Sequence, residues 1–173
     1  SRAGVRIVSL LRPLGELAVG RAVARESGLV ARITSCNAAF ALDGPGEGWC
    51  GRCDKCRFVQ LVLAPFTDRE DLVADLGFDA LADPEQVDAF ARMLDPATKP
   101  FECVGTVAEV RLALDLLASR PGWRDTVTVR TLADADATDL AGRTAALLAA
   151  DATRMPPPPF DGWLGALTGE GPA

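Results

Sequence analysis

Four of the five cysteines in this chain fall at Cys36, Cys50, Cys53 and Cys56, and the last three form a continuous Cys-x-x-Cys-x-x-Cys run. Four thiolates at such spacing suit a tetrahedral metal ion in a closed structural site, with no position left for water. Gly51 stands inside the first turn of the run, where a residue without a side chain eases the tight geometry. Cys36 must reach the same centre across a Gly/Pro-rich loop, residues 37–49. Structural zinc is the expected occupant. An iron–sulfur cluster uses the same number of cysteines, and spacing alone does not separate the two. Buried or disulfide-bonded thiols are the plainer alternative.

The remaining chemistry is sparse. The chain contains no histidine and no tyrosine. That excludes Ser-His-Asp and Cys-His catalysis and any histidine-ligated metal, and leaves acid–base work to carboxylates, Lys, Cys or the substrate. Cys103, in the string KPFECVGT, is the one cysteine outside the cluster. It precedes a helix expected to begin near Gly105 or Thr106, where a thiolate is favoured; a buried small hydrophobe is the bland reading. Lys99 and Glu102 flank it as candidate substrate contacts, with solvated surface as their default role. Arg52, Lys55 and Arg57 form a basic group beside the knuckle. They would neutralise thiolate charge, and Arg52 and Lys55 are also candidate contacts for a substrate phosphate or carboxylate. Trp49 is expected to pack on the metal loop. Asp134, Asp136 and Asp139 read as caps on a wet helix face rather than as metal ligands.

These residues need elements to hold them. Residues 5–11 (VRIVSLL) read as a short buried strand and residues 30–34 (VARIT) as a second, delivering Cys36. Residues 14–27 carry apolar side chains at helical spacing, with Gly28 as the C-cap. Residues 55–66 (KCRFVQLVLAPF) form a strongly apolar helix growing directly out of the knuckle. Helical spacing recurs over 68–76, with Thr67 or Asp68 as N-cap, and over 84–94, opened by Asp83-Pro84. It returns over 104–119 and 136–151. Residues 126–131 (TVTVRT) alternate as a strand does. A polyproline stretch at 156–159 leads into a tail expected to dock through Phe160, Trp163 and Leu164.

With 173 residues, 49% of them hydrophobic, the chain suits one domain or one domain with a small appendage. Its net charge of −6 repels phosphate backbones, so nucleic acid is not an expected partner. No apolar run approaches the roughly 20 residues of a membrane span, and no signal peptide is visible. Clustered cysteines fit a reducing compartment, which makes the cytoplasm the expected location.

The order of elements carries a resemblance. A strand followed by proline (VRIVSLLRP), an amphipathic helix, TSCN, a glycine-rich loop and CGRCDKC opening a helix resemble the C-terminal part of the 7-cyano-7-deazaguanine synthase type of N-type ATP pyrophosphatases. That resemblance spans residues 5–60 and places Cys36, Cys50, Cys53 and Cys56 on the family's zinc ligands. The strings WCGRCDKCRFVQLVLAPF and KPFECVGTVAEVR are similar to a more distant branch, the ATP-dependent UDP-N-acetylmuramoyl-L-alanyl-L-glutamate epimerase family of bacterial cell-wall synthesis. This second resemblance covers most of residues 5–120.

The resemblance implies an α/β, ATP-pyrophosphatase-like fold with few short strands and a helix-rich second half. Residues 1–66 would be the C-terminal end of the pyrophosphatase-like domain with its knuckle, 67–155 a helical region and 156–173 a Pro-rich tail. It also implies an activity. ATP activates the terminal L-glutamyl carboxylate of a UDP-muramoyl dipeptide as an adenylate, the α-carbon is inverted, and hydrolysis releases AMP and the D-glutamyl product. In such an enzyme Cys103 would abstract or return the α-proton. The sequence departs from the family in lacking an SGGxDS phosphate loop. The chain is therefore expected either to be the C-terminal piece of a longer enzyme, inactive alone, or to have lost the nucleotide site. Rival readings are another ATP-pyrophosphatase-type ligase or amidation enzyme, and a non-catalytic zinc-stabilised interaction module.

Overall fold

A computed structural model describes residues 7–26, 28–44, 48–100, 104–134, 137–156 and 163. Among these residues the chain is helical and contains no strand. The α-helices are α1 (Glu16–Arg25), α2 (Asp54–Leu63), α3 (Arg69–Leu76), α4 (Val87–Met93), α5 (Val107–Ala118), α6 (Val127–Leu132) and α7 (Leu140–Leu148). Short 3-10 turns at Val30–Arg32, Ala64–Phe66, Ala80–Ala82, Pro84–Gln86 and Ala152–Arg154 connect them.

The central element is α5, whose Val110, Leu112, Ala113, Leu114 and Leu117 are fully buried. It starts where the sequence places it, because Thr106 and Glu109 form a reciprocal capping box. Around it pack α1, α2, α6 and α7. Helix α2 buries Phe58, Leu61, Val62 and Leu63 and ends before Pro65, which has no amide hydrogen to continue the ladder. Leu17, Phe58, Leu72, Phe90, Leu114 and Trp123 belong to one hydrophobic cluster, so both halves of the chain share a core. Trp123 also donates its indole hydrogen to the carbonyl of Thr67 at 3.2 Å, which satisfies the one polar atom of that side chain.

The three expected strands are corrected. Residues 5 and 6 lie outside the described set, and 7–11 form coil and turn with Ile7 95% exposed. An extended segment needs a neighbour for its amides and carbonyls, and none is present among the described residues. Residues 30–32 wind into a 3-10 turn that buries only Val30. Residues 127–132 are helix α6, with Thr126 as N-cap and Thr128 and Val129 turned into the core. Thr131 returns its hydroxyl to the carbonyl of Val127 at 2.7 Å, which suits a β-branched residue to a helix.

The helical expectations hold with adjusted ends. The first helix ends at Arg25 with Glu26 as C-cap, and Gly28 takes a left-handed conformation two residues later. Asp68 is the N-cap residue of α3, although its carboxylate is turned to Arg120. Asp83 caps the turn Pro84–Gln86, from which α4 continues. Asp139 caps α7 through the amide of Gly142, while Asp136 lies outside the described residues. Trp163 is 63% exposed, so docking of the tail through it is corrected; Phe160 and Leu164 lie outside the described residues.

Candidate metal centre

Helix α2 begins at the cysteines. Cys53 is its N-cap residue, and its sulfur accepts the amide hydrogen of Cys56 at 3.5 Å. An N-terminus carries partial positive charge from its free amides, so a thiolate there is stabilised. Gly51 reverses the chain one turn earlier with φ of +69°, and a Cβ on it would lie 2.9 Å from the Cβ of Phe78. Both the left-handed backbone and the close ring demand glycine at this position.

The chain then brings Cys36 onto the same point. The Sγ atoms of Cys36, Cys50, Cys53 and Cys56 all lie within 4.8 Å of one another. Individual separations are 3.9 Å for Cys36–Cys53, 3.7 Å for Cys50–Cys56 and 3.5 Å for Cys53–Cys56. Four sulfurs about 2.3 Å from one tetrahedral ion would sit about 3.8 Å apart. The donor set and its geometry therefore fit a single metal ion.

Backbone amides support the sulfurs. Cys36 accepts from the amides of Ala39 and Cys50, both at 3.4 Å. Cys50 accepts from Arg52 at 3.4 Å and from Cys53 at 3.3 Å. Burial opposes ionisation of Cys36, yet these amides and the neighbouring thiols bring it down to about 6. Cys53 is likewise lowered, by the amide and side chain of Cys56 acting against burial. Burial and the adjoining Cys53 sulfur push Cys56 up. Thiolates crowded this closely repel one another, and a cation at their centre would supply the charge that lets all four ionise together.

The surroundings are a small apolar cluster. Cys36 and Cys56 are buried with Ala39, and Trp49 and Phe78 pack against them. Trp49 also touches the main core, so the expectation that it packs on the metal loop is met. Two of the three basic residues have partners. Arg57 donates to Gln86 at 2.8 Å and to Asp54 at 2.9 Å, and Arg52 pairs with Glu85 at 3.6 Å on the open surface. Lys55 is half-buried in the first turn of α2.

The second candidate region is farther along the chain. Lys99 donates to the carbonyls of Pro100 and Val104, at 3.4 and 3.3 Å, bridging the two ends of the segment that carries Glu102 and Cys103. Both of those residues lie outside the described set. The residue that sequence reasoning passed over is Glu109, which is buried and connects two helices. Its signal was present as Thr-x-x-Glu at 106–109, the capping-box pattern.

Comparison with known proteins decides the family. The model of the MurL C-terminal domain matches residues 32–147, a span that contains all four clustered cysteines. The chain belongs to this family. It is 50% identical over 128 residues to a UDP-N-acetyl-alpha-D-muramoyl-L-alanyl-L-glutamate epimerase of Salinispora tropica, covering 73% of this chain and 28% of the relative. A protein of the same name from Micromonospora sp. is 48% identical over 128 residues, covering 73% of this chain and 29% of the relative. Another, from Xanthomonas oryzae pv. oryzae, is 44% identical over 131 residues, 74% of this chain and 29% of that protein. The chain thus spans less than a third of the length of the curated relatives it matches. No solved structure matches it.

Proposed function

We propose that this chain is the metal-stabilised C-terminal part of an ATP-dependent epimerase that inverts the terminal L-glutamate of a UDP-muramoyl-L-alanyl-L-glutamate precursor of peptidoglycan. The observation that carries this reading is the family match over residues 32–147, together with relatives 44–50% identical that bear that enzyme name. The metal is zinc, held by Cys36, Cys50, Cys53 and Cys56. It serves as a cross-link, since four sulfurs leave no coordination position for substrate. The sulfur separations support one ion over a polynuclear iron–sulfur cluster, which interposes several atoms between its cysteines.

No residues of this chain form an SGGxDS loop, so ATP would be bound by the part of the longer enzyme that the chain does not span. On this reading that part carries the ATP-pyrophosphatase-like domain, related to the 7-cyano-7-deazaguanine synthase type. Residues 1–66 continue it, 67–155 form the helical region, and 156–173 are a tail. The enzyme works in the cytoplasm, where its nucleotide-linked substrate is made. No helix among the described residues is long and apolar enough to cross a membrane.

Within this chain, Cys103 moves the α-proton, and Lys99, Glu102, Arg52 and Lys55 are its candidate contacts for the substrate. Lys99 donates to the carbonyls of Pro100 and Val104, which stand on either side of Glu102 and Cys103 in sequence. The experiment is an assay of the longer enzyme containing this chain, with the L-alanyl-L-glutamyl substrate and ATP. Pyrophosphate release coupled to appearance of D-glutamate is expected, with Cys103→Ser abolishing inversion while leaving zinc content intact. Inversion unchanged in Cys103→Ser would remove that residue from the chemistry, and no inversion by the unaltered enzyme would end the reading.

A further inference from the structure

The metal loop shows a second feature that its ligands do not explain. Between Cys36 and Gly44 the chain is wound tightly: Phe40 donates its amide to the carbonyl of Cys36 at 3.2 Å, and Gly44 to that of Ala41 at 2.8 Å. A Cβ on Gly44 would meet the carbonyl oxygen of Ala38 at 2.1 Å, so only glycine closes this turn. Ala39 points inward against Cys36 and Cys56, and its amide bonds the Cys36 sulfur. The same winding turns two large apolar side chains outward. Phe40 is 64% exposed and Leu42 is fully exposed.

Ile7 is also exposed, at 95%. Phe40 and Leu42 differ because tight turns tie their loop to Cys36, one of the four clustered cysteines, and hold both side chains outward. Aromatic side chains such as Phe40 are enriched in interfaces, and a side chain already held in place loses little conformational freedom on docking. More than two thirds of each curated relative lies outside the span this chain covers.

We propose that Phe40 and Leu42 form the docking anchor by which this domain seats against the rest of the epimerase chain, in an apolar pocket of that larger part. The proposal rests on the reading of the chain as one part of a longer enzyme. It gives the cysteine cluster a purpose beyond stability, since the ion holds the anchor in its presenting conformation. A second copy of this chain is the competing occupant.

The test replaces the matching segment of the Salinispora tropica epimerase with this chain and compares that protein with the 173-residue chain alone, both zinc-loaded, by carbene footprinting. Strong labelling of Phe40 and Leu42 is expected in the chain alone, falling by roughly fivefold in the long protein as the side chains are enclosed. The double variant Phe40→Ser/Leu42→Ser should leave the zinc content and melting of the chain alone unchanged while lowering the melting temperature of the long protein. Equal labelling in both proteins overturns the proposal. If the long protein epimerises its substrate but the loop stays equally labelled, only the docking surface is wrong. If neither inversion nor protection is seen, both readings fall. Concentration-dependent protection of the chain alone would assign the anchor to self-association and overturn the proposal as well.

Discussion

One carboxylate joins the starts of two helices: Glu109 accepts the amide hydrogen of Leu17 at 3.1 Å, from a residue 92 positions away in sequence. Its other oxygen accepts the amide of Thr106 at 2.8 Å and the hydroxyl of the same residue at 2.9 Å. A buried acid is tolerated here because it answers free amides at the N-termini of both α1 and α5. Replacement by alanine strands those donors. We expect Glu109→Ala to cost about 1–3 kcal/mol in urea unfolding. Glu109→Gln should also destabilise, because its amide nitrogen must face one of the two donors. Neither should change metal content.

Gly51 is the second sensitive position. Alanine there is forced into a left-handed backbone and driven against Phe78. The expected loss for Gly51→Ala is about 1–2 kcal/mol in thermal or denaturant unfolding. Because the same turn aligns Cys50 and Cys53, metal affinity measured by chelator competition should fall with it.

Asp115 gives a third prediction. Its side chain is buried, accepts the amide of Asp134 at 3.1 Å, and lies 2.9 Å from the guanidinium of Arg143. Its second oxygen meets Arg143 by charge attraction without an aligned hydrogen bond. Arg143→Met leaves a buried carboxylate without its counter-charge. Since Arg143 is 32% exposed, water screens part of the pair, and a loss of about 1–3 kcal/mol is expected rather than the full cost of a buried ion. The double change Arg143→Met/Asp115→Leu should recover much of this loss, which a double-mutant cycle would read directly.

Much of this molecule was legible in its residues. The cysteine spacing picked out four candidate ligands, and the structure gathers their sulfurs within 4.8 Å of one another. Helical spacing found every α-helix but one among the described residues, because amphipathic periodicity survives wherever a helix lies on a core. The failures have two causes. Residues 126–131 alternate and are rich in β-branched side chains, but six residues are too few to separate period 2 from period 3.6 when the buried pair is adjacent, as Thr128 and Val129 are. The apolar runs at 5–11 and 30–34 read as strands because their composition suits a sheet. A strand is defined by a partner that local sequence does not reveal, and the described residues supply none. The reach of Glu109 to Leu17 was hidden for the same reason, since a contact across 92 residues leaves no local pattern.

Metal removal should act on α2 first. Its N-cap, Cys53, is one of the four clustered cysteines, and Phe58, Leu61 and Leu63 on the same helix belong to the shared core. Exhaustive chelation, or Cys53→Ser, should therefore reduce helical circular dichroism and stability together, by on the order of several kcal/mol. Aggregation should follow as the core opens. A melting curve unchanged by chelation would show that the cysteines do not hold the fold together.

The most direct test is elemental analysis of the chain purified under reducing conditions without added chelator, alongside its Cys36→Ser and Cys103→Ser variants. One zinc ion per chain is predicted for the unaltered protein and for Cys103→Ser, with marked loss in Cys36→Ser. Absence of any stoichiometric metal, or equal metal content in Cys36→Ser, would contradict the four-cysteine centre.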